Sequence, residues 1–257
     1  MSDGVPLPDV ARLQADARRI VALAAERDMI LRLLGGLAVH IHSESATHRS
    51  LVRPYPDLDF VLADKRSDRV EALLEKLDYR PNRSFNLLNG DRRLLFYDES
   101  GEGQIDVFVN NFHMCHTIPI DVGRLTLEPL TLPLAELFLT KMQIVQLNEK
   151  DVRDLCALLL DHSFGEGDEE MFNLPYIVTL CAGDWGLWKT VTMNLAKVRD
   201  FADAYDLEVG QKLNIVERLE VLRAALEGAP KSLKWKTRDR IGERLQWYDT
   251  PEEVQRG

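Results

Sequence analysis

The stretch RPYPDLDFVL, residues 53–62, combines a restricted backbone with a strand-like pattern. Two prolines precede Asp57 and favour an extended backbone, and DLDF then alternates polar with apolar residues at the period of a strand. Side chains two residues apart in a strand point to the same face, so Asp57 and Asp59 should share one face while Leu58 and Phe60 enter the core. The stretch therefore predicts a strand with one acidic face.

A second stretch, GQIDVFVN at residues 103–110, repeats this arrangement. Ile105 and Val107 would enter the core, and Asp106 would face the same side as the first two aspartates if the strands are neighbours. Three carboxylates that lie close together repel one another unless a cation is present. Because Mg²⁺ prefers oxygen ligands and commonly bridges carboxylates to substrate phosphates, the pattern predicts a divalent-metal site for phosphoryl chemistry.

A glycine pair lies upstream, at the end of the apolar run 29–34. Gly35 and Gly36 predict a tight turn from a strand into a helix, a turn that occurs in many proteins for purely structural reasons.

Length and composition set bounds on the kind of protein. A chain of 257 residues suits one large domain or two modest ones. A net charge of −10 argues against non-specific coating of nucleic acid, although a local basic patch could still bind it. The three cysteines have no metal-ligand spacing, and no apolar run is long enough to cross a bilayer. We therefore expect a cytoplasmic protein with reduced cysteines and no membrane partner.

The order of predicted elements indicates an α+β fold with a small mixed β-sheet flanked by helices, followed by a helical C-terminal region. Helices are expected at 9–26, 67–77, 134–147 and 150–162, and strands at 29–34, 59–63, 84–88, 93–97 and 104–109. The sequence GEGDEE at 165–170 breaks the pattern. It predicts a boundary between a domain at 1–164 and a helical domain at 165–257.

The order of these motifs resembles a known family. LLGG, RPYPDLDFVL, GQIDVFVN and LPLAELFLTKMQIVQLNEKDVRDLCALLL together resemble the nucleotidyltransferase superfamily that includes DNA polymerase beta. Within that superfamily the chain is most similar to bacterial nucleotidyltransferases of the abortive-infection and toxin type. The resemblance covers about residues 28–162 and leaves out the last third of the chain.

The resemblance implies a role for each matching acidic and glycine residue. Asp57, Asp59 and Asp106 would be the catalytic residues and would hold Mg²⁺, as two ions, with Asp106 also linked to deprotonation of the attacking hydroxyl. Gly35 and Gly36 would bind the nucleotide, because their backbone and the first amides of the next helix can approach phosphate closely.

Two basic residues match positions that bind the nucleotide in the family. Arg53 would clamp a phosphate with its guanidinium, although an ordinary surface arginine fits the same pattern. Tyr55 departs from similar proteins, which often carry serine or threonine at this position. Lys141 would contact the phosphates, and the alternative is a lysine that extends its ammonium group to solvent.

Downstream of Lys141, Asp151 and Asp154 lie three residues apart on one predicted helix face. They match a family signature of unassigned role, and they could equally pair with Lys150 or Arg153.

The implied function is transfer of a nucleoside monophosphate from a nucleoside triphosphate, such as ATP, to an acceptor, with release of pyrophosphate. The acceptor could be RNA, a protein or a small molecule. One alternative is a non-catalytic protein that keeps the fold and binds a nucleotide or a partner. Another is the toxin of a toxin–antitoxin pair that modifies tRNA, for which the basic segment 231–244 would hold the RNA, unless it is only a solvated helix face.

Overall fold

The computed structural model describes residues 9–63, 66–99 and 103–251. The chain divides into two compact units. The first comprises Met1–Ile41, Arg53–His113 and Pro119–Pro133, and the second comprises His42–Val52, Met114–Ile118 and Leu134–Gly257.

A five-stranded sheet forms the centre of the first unit. Its strands are β1 (Leu31–Leu34), β2 (Asp57–Leu62), β3 (Arg80–Pro81), β4 (Arg93–Tyr97) and β5 (Gln104–Val109). They lie in the order β1-β2-β5-β4-β3. The β2–β5 pair is parallel and the other three pairs are antiparallel, so the sheet is mixed.

Helices pack on this sheet, and two shorter strands follow it in the chain. The helices are α1 (Val10–Ala25), α2 (Gly35–His42), α3 (Ser67–Glu75), α4 (Arg83–Asn89) and α5 (Val122–Leu125). The shorter strands are β6 (Asn111–His113) and β7 (Thr117–Pro119). The side chain of Asp9 caps α1 by accepting a hydrogen bond from the Ala11 amide at 3.1 Å, as expected for an acidic residue before a helix.

The second unit is mainly helical. It contains α6 (Leu134–Met142), α7 (Glu149–Asp161), α8 (Leu174–Gly183), α9 (Trp185–Ala204), α10 (Val209–Gly228) and α11 (Leu233–Ile241), with 3₁₀ turns at Glu44–Thr47 and Gly242–Arg244. Two short parallel strands, β8 (Ser163–Gly165) and β9 (Met171–Asn173), lie between α7 and α8 in the chain. The long helix α9 packs against both α8 and α10.

The structure confirms the prediction of an α+β fold with a small mixed sheet, flanking helices and a helical C-terminal region. Segment 134–164 belongs to the same compact unit as 165–257, although the predicted boundary at 164–165 would separate the two. The three cysteines are buried free thiols, and burial raises the pKa of Cys156 and of Cys181 to about 12. Within the described parts of the chain, every helix is too short or too polar to span a bilayer.

The strand predicted at 84–88 is wrong, because this segment is part of helix α4. Asn82 caps the helix by accepting a hydrogen bond from the Phe85 amide at 3.1 Å, and Gly90 forms its C-cap. The Asn89-Gly90 pair therefore ends a helix and does not form a hairpin turn. Asn86, in the middle of α4, accepts a hydrogen bond from the Leu95 amide of β4 at 2.8 Å, so a contact distant in sequence holds this helix against the sheet.

Candidate functional site

The register of β2 and β5 places the acidic residues on one face of the sheet. Asp59 is the register partner of Asp106, and Asp57 is the partner of Gln104. Partners on neighbouring strands point to the same face, and so do residues two apart on one strand. The three aspartates therefore share one polar face, while Leu58 and Phe60 are buried on the other.

The three carboxylates have different environments. Asp57 and Asp59 are half-buried, whereas Asp106 is 3% exposed. Asp106 accepts hydrogen bonds on both oxygens: Nε of Arg93 donates to Oδ1 at 2.7 Å, and Nε2 of Gln104 donates to Oδ2 at 2.6 Å. Arg93, from the same sheet, thus balances the negative charge of Asp106. A buried carboxylate without such a partner would be strongly unfavourable.

Aromatic rings hold Arg93 in place. Its guanidinium carbon lies 5.7 Å from the ring centre of Phe85 and 5.2 Å from that of Phe108, within the range of cation–π attraction. Sequence reasoning missed both Arg93 and Gln104. A signal was available, because Arg93 opens the otherwise apolar strand RLLFY and Gln104 lies two residues before Asp106.

The glycine pair forms the turn from β1 into α2, and each glycine lies against one charged side chain. Gly35 has φ +73°, a left-handed conformation that other residues rarely adopt. A Cβ atom at Gly35 would overlap Oδ2 of Asp59 and lie 2.9 Å from its Cγ. A Cβ atom at Gly36 would overlap Nη2 of Arg53 and lie 2.7 Å from its Cζ. The Asp59 carboxylate and the Arg53 guanidinium can therefore lie against the first two residues of α2 only because both of these residues are glycine.

Lys141 belongs to the second unit, unlike the other predicted site residues. Its ammonium group lies 3.0 Å from Oδ1 of Asp151 and 3.0 Å from Oδ2 of Asp154, and all three side chains are largely buried. Arg153 contacts Glu149 and the carbonyl oxygen of Val52. The two aspartates on the α7 face thus pair with Lys141, and nucleotide binding by Lys141 stays a prediction.

The two half-buried carboxylates fit a magnesium ion. Mg²⁺ is commonly held by one or two carboxylates together with substrate phosphates, and it keeps several water ligands. Asp57 and Asp59 offer such a pair on one face of β2, and Asp59 lies against Gly35 of the glycine turn. In residues 9–63, 66–99 and 103–251, no group of three or more His, Cys, Asp or Glu side chains is arranged to hold a metal ion.

The chain matches no family model and no curated protein, and it is similar to several solved structures. It is similar to antibiotic-resistance factor ANT(2'')-Ia, with 14% identity and a TM-score of 0.37 over 84% of this chain and 96% of that one. An antigenic nucleotidyltransferase-like protein from Paracoccidioides brasiliensis gives 14% identity and a TM-score of 0.41, over 91% of this chain and 100% of that one. A tRNA-processing enzyme gives 14% identity and a TM-score of 0.30, over 90% and 62%. All three likenesses are weak, so the proposed function rests on the residues of the site itself.

Substitution of Gly35 tests the glycine turn. Gly35→Ala should lower the free energy of unfolding by about 1–3 kcal/mol, because alanine is strained at positive φ and its methyl group would displace the Asp59 carboxylate. Urea denaturation measures the change. Gly210→Ala is the matched control, since a Cβ atom there meets nothing within 4 Å, and it should leave stability unchanged or slightly higher. Equal stability of the two variants would contradict the geometry of the turn.

The ion pair of Arg93 and Asp106 on the acidic face can be tested by removing its cation. Arg93→Leu should lower the free energy of unfolding by about 3–5 kcal/mol, because Asp106 would remain buried without its cation. Arg92→Leu removes the neighbouring exposed arginine and should change stability by less than about 0.5 kcal/mol. The double variant Arg93→Leu/Asp106→Leu should recover much of the loss. A double variant no more stable than Arg93→Leu would show that the buried charge is not the cause.

The buried cluster of Lys141 is tested in the same way. Lys141→Met leaves two neighbouring carboxylates without their common cation and should cost about 3–5 kcal/mol in urea denaturation. Lys150→Met, an exposed lysine on α7, is the control and should have little effect. If Lys141→Met is as stable as the control but weakens nucleotide binding, the role implied by the family resemblance is the better account.

Proposed function

We propose that this protein is a Mg²⁺-dependent nucleotidyltransferase that moves a nucleoside monophosphate from a nucleoside triphosphate to an acceptor. One observation carries the proposal: a carboxylate and a guanidinium lie over the two glycines that open α2, beside a second carboxylate on the same sheet face. A helix start that carries a guanidinium favours phosphate, and the carboxylates favour the cation that accompanies phosphate.

Each residue of the site has a defined part in this reaction. Asp57 and Asp59 hold the nucleotide-bound magnesium, which when bound neutralises charge on the phosphate oxygens. The amides at Gly35 and Gly36 and the guanidinium of Arg53 orient the phosphates.

The proposed group transfer is an in-line displacement at the α-phosphorus. The acceptor oxygen forms a bond to this phosphorus, and the bond to the pyrophosphate oxygen breaks. The proton of the acceptor hydroxyl passes to a carboxylate oxygen of Asp106, which acts as general base. Positioning and charge neutralisation supply most of the catalysis, as in other phosphoryl transfers.

A second candidate function is nucleotide binding without turnover. The observation that favours it is the engagement of both Asp106 oxygens by Arg93 and Gln104, which compete with any proton or metal for this carboxylate.

The acceptor class stays open. The basic segment 231–244 favours RNA, and a toxin acting on tRNA with an antitoxin partner would be one such case.

Labelling of acceptors tests the proposal. The protein is incubated with Mg²⁺, α-³²P-labelled nucleoside triphosphates and cell extract, and transfer of label to RNA, protein and small molecules is followed. Asp57→Ala/Asp59→Ala should reduce labelling about a hundredfold or more, because both metal-binding carboxylates are lost. Chelation of the metal with EDTA should have the same effect.

The matched control is Asp68→Ala/Asp91→Ala, which removes two exposed aspartates and should label like wild type. Equal labelling by wild type and by the Asp57/Asp59 variant would overturn the proposal. Tight binding of Mg-ATP in calorimetry without any transfer would instead favour the non-catalytic function.

A further inference from the structure

Tyr55 is a buried aromatic residue beside the predicted phosphate clamp. It is 5% exposed, although it lies only two residues after the half-exposed Arg53. The guanidinium carbon of Arg53 lies 4.6 Å from the centre of the Tyr55 ring. At this distance the negative face of the ring attracts the positive charge, and a buried ring has little freedom to move away.

Further contacts limit the position of the Arg53 guanidinium. Nη1 donates a hydrogen bond to the carbonyl oxygen of Pro54 at 2.9 Å. Nη2 lies against Gly36, in the space that a Cβ atom would occupy. Pro54 and Pro56 flank Tyr55 and restrict the backbone that carries the ring. The long side chain of Arg53, of a type that is usually mobile, is thus held between the Tyr55 ring, the Pro54 carbonyl group and the start of α2.

His40 packs against the ring of Tyr55. It lies one helical turn after Gly36 on α2, and its ring is 5.2 Å from that of Tyr55 at an interplanar angle of 51°. Burial lowers the pKa of His40, and the positive charge of Arg53 lowers it further. A neutral imidazole packs against the tyrosine without placing a second positive charge beside the guanidinium.

We infer that Tyr55 is a positioning residue that holds the Arg53 guanidinium over Gly36, ready for the phosphates of a nucleotide, and that His40 packs against its ring to keep it there. This inference deepens the proposed function and rests on it. An arginine that is already ordered loses less conformational freedom when it binds phosphate, so the tyrosine should increase nucleotide affinity without touching the nucleotide itself.

A double-mutant cycle tests the inference. Binding of Mg-ATP is measured by calorimetry for wild type, Tyr55→Leu, Arg53→Ala and the double variant. Tyr55→Leu should weaken binding about three- to thirtyfold, the range of one cation–π contact. The same substitution should have no further effect in the Arg53→Ala background, because the group that Tyr55 positions is then absent. An equal loss in both backgrounds would overturn the inference, since a general loss of packing acts whether or not Arg53 is present.

Two further measurements keep the test informative if Tyr55→Leu folds poorly. Tyr55→Phe preserves the ring and should bind Mg-ATP within about twofold of wild type. Tyr55→trifluorophenylalanine keeps the shape of the ring but removes its negative face, so it should bind Mg-ATP like Tyr55→Leu. Equal binding by these two rings would contradict the inference. Adenosine, which has no phosphates, should bind equally to all the Tyr55 variants.

The outcomes separate the inference from the function on which it rests. If wild type binds none of the four nucleoside triphosphates in the presence of Mg²⁺, the proposed function fails; if it binds one other than ATP, the cycle is measured with that nucleotide. If wild type binds and Arg53→Ala weakens binding, but Tyr55→Leu binds like wild type, only the positioning role of Tyr55 fails.

Discussion

The parallel pairing of β2 with β5 is the constraint on which the first unit depends. It aligns Asp59 with Asp106 and Asp57 with Gln104, although these residues come from distant parts of the chain. The apolar partners on the opposite face, among them Phe60 and Val107, are fully buried and hold this register. A shift of β2 by one residue would turn Phe60 out of the core and move the half-buried Asp57 and Asp59 into it, so the hydrophobic pattern of β2 also fixes the position of its acidic residues.

Buried charges are neutralised within each unit by partners from neighbouring elements. In the first unit Arg93 on β4 pairs with Asp106 on β5, and in the second unit Lys141 on α6 pairs with two aspartates of α7. Burial of a charged side chain is unfavourable unless an opposite charge lies close to it. This explains why the charged groups of both clusters form close ion pairs.

The fold was largely predictable, and the main error has a physical cause. Helices α1 and α7 follow from their apolar period and the acidic strand from its alternation. The segment 84–88 was misassigned because Asn89-Gly90 suits either a hairpin turn or a helix end. The choice is made by the cap at Asn82 and by the contact between Asn86 and the Leu95 amide. The second of these is a tertiary contact that local pattern cannot reveal.

Sequence alone indicates the α+β class, the strand with two same-face aspartates and the glycine turn, because period, side-chain type and backbone freedom are local properties. The contacts of the charged groups depend on the tertiary structure, which places Asp59 over Gly35, Arg53 over Gly36 and against Tyr55, and Arg93 beside Asp106. These neighbours come from different strands and loops, and strand pairing and burial select them. For that reason the spacing of residues indicates where a site lies, whereas packing decides how each charged group in it is held.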